Sequence, residues 1–60
     1  MTMIAIVNVS ETYGEGIQVY EVRINRRVIT RFYHVYTDGL AVCLRKAAEA
    51  VEKLDLPWPG

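Results

Sequence analysis

The chain has 60 residues, 52% of them apolar, and its seven basic and seven acidic residues cancel at neutral pH. A domain this small buries only about 60% of its unfolded surface, so it needs a cross-link, a metal or a partner chain for stability. Cys43 is the only cysteine, which excludes an intrachain disulfide, and Cys43 with the single histidine, His34, does not make up a zinc ligand set. Self-association is therefore the expected source of additional stability.

The first strand is predicted over residues 4–9, where β-branched apolar residues dominate. A polar loop follows over 10–16, in which Gly14 and Gly16 flank Glu15. The segment lacks the third glycine and the following helix of a dinucleotide-binding loop, so it is interpreted as a turn.

The second strand is predicted over 17–24, because apolar and charged residues alternate there. Asn25 and Arg26 are predicted to form a tight hairpin turn, since asparagine tolerates the positive φ at the first position of a type I′ turn. Arg26 stands where glycine would be easier, so either strain or a longer loop is expected. The third strand, over 28–36, is rich in β-branched and aromatic residues.

The register of this hairpin predicts an irregularity. A two-residue turn would place Val22 opposite Ile29, and Val19 opposite Phe32 on the other face of the sheet. Ile29 and Phe32 can both point at a helix only if a bulge intervenes near Thr30 or Arg31. We therefore expect either that bulge or a second sheet face that is itself buried.

A helix is predicted over 38–54, with Asp38 as its N-cap and Cys43 beside its apolar stripe. The stripe consists of Leu40, Leu44, Ala47, Val51 and Leu54. The tail over 56–60, with a tryptophan between two prolines, is expected to be extended. Residues 1–60 are thus predicted to form one α+β domain, with three antiparallel strands and one helix packed on one face. The uncovered face is expected to be buried in a homodimer.

Catalytic chemistry is not expected. Cys43 and His34 are the only pair with nucleophile and base character, and Cys43 lies beside the apolar stripe, where a thiol packs as a small hydrophobe. No carboxylate pair or Ser/His/Asp arrangement can be singled out. We predict a non-enzymatic protein without a cofactor or a metal.

Four of the seven basic residues lie within nine positions around the hairpin, and they are Arg23, Arg26, Arg27 and Arg31. Arginine binds phosphates and carboxylates through a forked pair of hydrogen bonds. Three interpretations stay open, namely a solvated hairpin tip that blunts edge pairing, a surface that docks on a protein, and a β-ribbon that enters a DNA groove.

Val42 and Trp58 are two further candidates for partner binding. Val42 is predicted to point away from the apolar stripe, among charged residues. Trp58 either folds onto the domain or contacts a partner. The first alternative is favoured for Trp58, because a small core needs the apolar area that a folded-in tryptophan would bury.

Three stretches carry a resemblance to a known class of proteins. VYEVRIN at 19–25, FYH at 32–34 and DGLAVCLRKAAEAVE at 38–52 resemble short proteins of bacteriophages and prophages, of the general kind that includes anti-CRISPR and other anti-defence proteins. In those proteins a glycine commonly follows the hairpin asparagine, whereas this chain has Arg26. The resemblance implies an inhibitor that binds a host defence complex or another bacterial factor.

Two other functions stay open beside this one. A small DNA- or RNA-binding regulator would use the same arginines, and a structural part of a phage particle would form higher-order oligomers. Residues 1–9 are too few to span a bilayer, so no membrane association is expected. The lone cysteine and the lack of a signal-like segment predict the cytoplasm of the host cell.

Overall fold

The computed structural model describes residues 1–11 and 16–59, so residues 12–15 of the predicted loop, with Gly14 and Glu15, lie outside the described part. The elements are β1 (Ile4–Asn8), β2 (Ile17–Ile24), β3 (Arg27–Val35), a 3-10 turn (Tyr36–Asp38) and α1 (Leu40–Glu52). The strands form an antiparallel sheet in the order β1-β2-β3, and α1 packs on one of its faces against β3. The predicted α+β fold is confirmed.

The β2–β3 hairpin has its tight turn at Asn25 and Arg26, without the longer loop that was the alternative. Asn25 and Arg26 have φ values of 50° and 72°, so both residues occupy the left-handed region of a type I′ turn. The side chain of Asn25 also accepts a hydrogen bond of 2.9 Å from the backbone N–H of Met3. This bond ties the turn to the segment that leads into β1.

The predicted bulge is present and lies at Ile29. Arg23 pairs with Val28 and Val22 pairs with Thr30, which leaves Ile29 as the extra residue of β3. The predicted pairing of Val22 with Ile29 is therefore wrong.

The bulge changes which side chains reach the helix. Beyond it, Phe32 pairs with Tyr20 and Val19 pairs with Tyr33, so the predicted pairing of Val19 with Phe32 is also wrong. The extra residue brings Ile29 and Phe32 to the same side, where Phe32 is buried in the core and Ile29 packs against it. The bulge thus resolves the conflict between the hairpin register and the apolar pattern of β3.

The buried apolar core consists of Val22, Phe32, Cys43 and Ala47, with Tyr20, Ile29, Ala50 and Val51 packed around it. The helix is rotated from the predicted orientation, so that Cys43 is buried and Leu40 and Leu44 are 75% and 49% exposed. Leu54 is exposed as well. We attribute the rotation to side-chain size, since small residues on the helix let it approach the rings of Tyr20 and Phe32 closely.

Both ends of α1 differ from the prediction. Asp38 belongs to the 3-10 turn, and the N-cap is Gly39, whose φ of 88° and ψ of 173° suit only glycine. The helix ends at Glu52, and a turn with Asp55 at φ 51° follows, so Leu54 lies beyond the last helical residue.

Candidate functional site

The sheet face opposite α1 has no element packed on it within the described residues. It carries two direct cross-strand pairs of large side chains, Ile17 with Val35 and Val19 with Tyr33. Tyr33 is 69% exposed and Ile17 is 67% exposed. We call this surface, made of these four residues and the neighbouring Glu21, Arg23 and Arg31, the open face.

An ion-pair network occupies one half of the open face. Glu21 lies on the central strand, and its Oε1 accepts hydrogen bonds from Arg23 Nη2 at 2.8 Å and from Arg23 Nε at 3.1 Å. Its Oε2 accepts a hydrogen bond of 2.8 Å from Arg31 Nε, across the strand pair. One carboxylate therefore holds two of the four candidate arginines in place.

The same contacts alter the titration of Glu21. The hydrogen bond from Arg23 lowers the pKa of the Glu21 carboxyl, burial opposes this, and the hydrogen bond and charge of Arg31 lower it further. Only 5% of Glu21 is exposed, and the two guanidinium groups, rather than a dry protein interior, shield it on this face. The carboxylate is thus charged at neutral pH.

The structure divides the four arginines into two pairs. Arg23 and Arg31 are engaged with Glu21, whereas Arg26 and Arg27 are exposed at the hairpin turn, with no ion pair to any described residue. Sequence reasoning missed this division, because it did not consider Glu21 as the partner of a cross-strand arginine.

Val42 and Trp58 lie apart from the open face. Val42 is half-buried, so it is less accessible than predicted. Trp58 is 77% exposed, so the expectation that it folds into the core is wrong. It borders an apolar groove that also contains Ile4, Val51 and Leu56.

A polar cluster that sequence reasoning missed lies on the helix side of the sheet. Gln18 and His34 are direct cross-strand partners and are both buried. Asn8 Nδ2 donates hydrogen bonds to Gln18 Oε1 at 3.1 Å and to the Tyr20 hydroxyl at 3.5 Å. His34 Nδ1 is buried without a hydrogen-bond partner among the described residues. The sequence carries a signal for this cluster, because the alternation of the strands places Asn8, Gln18 and His34 on the same sheet face as apolar core residues.

Cys43 and His34 line the same open groove, whose volume is about 410 Å³. No hydrogen bond joins the side chains of Cys43 and His34, which both belong to the described part of the chain. Burial raises the pKa of the Cys43 thiol, against the smaller effect of the Lys46 charge, which lowers it. A thiol in this environment is a weak nucleophile at neutral pH.

Among the described residues, no group of three or more His, Cys, Asp and Glu side chains is placed to hold a metal ion. The described helix is too short to cross a membrane. Comparisons of this chain with protein-family models, with curated proteins and with solved structures found no match.

Proposed function

We propose that this protein is a non-enzymatic binding protein that docks on another protein through the open face. The observation that carries the proposal is the combination of exposed Tyr33 and Ile17 with the hydrogen-bonded Arg31 on one face of the sheet. Aromatic residues and arginine are enriched at the centres of protein interfaces. An arginine already held by Glu21 loses less side-chain entropy when it binds than a free one does.

The charge of the open face favours a protein over a nucleic acid as the partner. Two arginines and one glutamate leave this network with a single net positive charge. A nucleic-acid interface needs many cationic contacts to phosphates, whereas an apolar patch beside a fixed ion-pair network matches a typical protein interface.

The resemblance to phage proteins supplies the class of target. We propose that the partner is a bacterial defence complex or another host factor, that the protein inhibits it in the host cytoplasm, and that it acts as a homodimer. A binding inhibitor of this kind needs a surface and no catalytic group.

The test is capture of partners from a nuclease-treated bacterial lysate by the tagged protein, washed at moderate salt. We expect the wild type to capture a stoichiometric protein partner, and Tyr33→Glu to abolish that capture. Ala48→Glu is the control and should retain it, since Ala48 is exposed on the helix and receives the same charge. Capture that is equal for both variants would overturn the assignment to the open face.

The inhibitor function has its own readout. Expression of the protein in a bacterium with an active defence system should raise the plating efficiency of a restricted phage, and Tyr33→Glu should remove that effect. A captured partner without any such effect would retain the binding function and overturn the anti-defence function.

A second function, nucleic-acid binding, is favoured by the free guanidinium groups of Arg26 and Arg27. These groups project at the hairpin turn without an acidic partner among the described residues. If Arg26 and Arg27 each contact one phosphate of duplex DNA, the logarithm of the binding constant should fall with the logarithm of the salt concentration, with a slope of about −1.8. Arg26→Ser with Arg27→Ser should abolish such binding and leave the Glu21 network intact, and binding that is unaffected by salt or absent altogether would eliminate this function.

A further inference from the structure

The helix does not cover the whole face of the sheet on which it packs. Ile4 and Ile6 of β1 pair with Ile24 and Val22, so their side chains lie on the helix side of the sheet. Both are nevertheless exposed, because the helix packs against β3 at the far edge. The inner face of β1 is therefore uncovered.

Apolar side chains border the uncovered strand on its other side. Leu40 and Leu44 project from the helix toward Ile6, and Leu56 and Trp58 of the tail lie beside Ile4. Since Ile4 and Ile6 are two residues apart on one face, the two grooves that they line are adjacent along β1. We call the surface formed by these six residues the apolar trough.

The apolar trough contains no charged side chain. The residues that line its two grooves are aliphatic, aromatic, proline, glycine, cysteine and the single His34. Depletion of charge is typical of the interfaces between identical subunits, which resemble a protein core divided in two. The open face, by contrast, carries three charged side chains in one of its halves.

The chain exposes more area than a compact monomer of its mass is expected to expose. A folded monomer of 6.9 kDa is expected to expose about 4,000 Å². This chain exposes 4871 Å². The excess of roughly 900 Å² is close to the 800 Å² or so that each partner buries in an interface of standard size.

We propose that a second copy of this chain occupies the apolar trough. In a two-fold arrangement, Leu40 and Leu44 of each protomer pack against Ile4 and Ile6 of the other, which covers the strand that each helix leaves bare. The inference rests on the homodimer of the proposed function and assigns its interface. It reverses the expectation that the uncovered sheet face forms the dimer, and it leaves the open face free for a target.

Sedimentation at micromolar concentration tests the assignment. The wild type and Tyr33→Glu should both sediment at about twice the chain mass of 6.9 kDa, whereas Leu44→Glu should sediment as a monomer. Leu40→Glu is the second variant, because Leu40 is the more exposed of the two leucines and contributes less to the fold of the single chain. Far-UV circular dichroism establishes that each variant is folded.

Dilution of the wild type provides a measurement that needs no variant. The methyl resonances of Ile6 and Leu44 should shift with concentration, while those of Ile17 and Val35 on the open face stay constant. The reverse pattern, or a dimer that survives Leu44→Glu and fails in Tyr33→Glu, would place the interface on the open face and overturn the inference.

The same variants separate the dimer from the proposed binding of a target. A wild type that is monomeric at all concentrations would overturn the dimer, while capture of a target that depends on Tyr33 would still stand. A target whose capture is lost in Leu44→Glu and retained in Tyr33→Glu would show that a different protein occupies the trough, and would overturn both assignments.

Discussion

Arg31 Nε donates a hydrogen bond of 2.8 Å to Glu21 Oε2, and the two residues are direct partners in the β2–β3 register. The contact crosses the strands on the open face, and Arg23 completes it from within β2. The three side chains consequently form one electrostatic unit. The titration of Glu21 offers a test of this unit in solution.

The acid stability of the protein should depend on Glu21. The folded-state pKa of Glu21 is lowered, first by the hydrogen bond from Arg23, so its contribution to stability is complete above the ordinary pKa of 4.5. That contribution is lost as the pH falls through the lowered folded-state value. Melting temperatures measured from pH 7 to pH 2 should fall more steeply for the wild type than for Glu21→Gln.

Glu52→Gln is the matched control for this titration. Glu52 is exposed at the end of α1 and has no ion pair to a described residue. Its variant should reproduce the acid profile of the wild type. Equal profiles for Glu21→Gln and the wild type would contradict the assigned role of the network.

Phe32 and Tyr33 are neighbours in sequence but should differ strongly in their effect on stability. Phe32 is buried in the core beneath the helix, and Phe32→Ala should lower the free energy of unfolding by about 3–5 kcal/mol, a large part of the stability of a small domain. Tyr33→Ala, on the open face, should change it by no more than about 0.5 kcal/mol. Urea unfolding followed by circular dichroism measures both, and equal losses would mean that the two faces are assigned wrongly.

Arg26→Gly should stabilise the hairpin. Arg26 has a φ of 72°, which strains any residue with a Cβ atom, and glycine relieves that strain at a smaller cost in chain entropy. We expect a gain of about 0.5–1 kcal/mol in thermal or urea unfolding. Arg27→Gly removes the same charge at the first residue of β3 and should destabilise the protein instead. A loss of stability in Arg26→Gly would contradict the type I′ turn.

Cys43 should react slowly with thiol reagents in the folded protein. It is buried at the centre of the helix–sheet contact, and burial raises its pKa, so both access and the thiolate fraction are reduced at pH 8. Modification by a maleimide should be at least about tenfold slower than in denaturant, where Cys43 is exposed. Equal rates in the two conditions would show that the helix does not stay packed on the sheet.

The sequence alone was sufficient for the elements that depend on neighbouring residues. The order of three strands and one helix follows from periodicity, and the turn at Asn25 follows from the tolerance of asparagine for positive φ. Even the bulge could be expected, since Ile29 and Phe32 cannot otherwise lie on one face. These features depend on backbone preferences and on the alternation of side chains, which act over a few residues.

The tertiary structure decided what depends on the fit between elements. The helix turns Cys43 and Ala47 toward the sheet, because their small side chains match the rings of Tyr20 and Phe32, and this leaves Leu40 exposed beside β1. Hydrophobic periodicity defines an apolar stripe about 100° wide on the helix, and it cannot determine which part of that stripe faces the sheet.

The candidate site shows the same division between local and tertiary information. The sequence indicated four clustered arginines, but only the strand register shows that Arg23 and Arg31 share Glu21 while Arg26 and Arg27 remain accessible. The difference arises because an ion pair between strands depends on which residues face each other across the sheet, and composition does not contain that information.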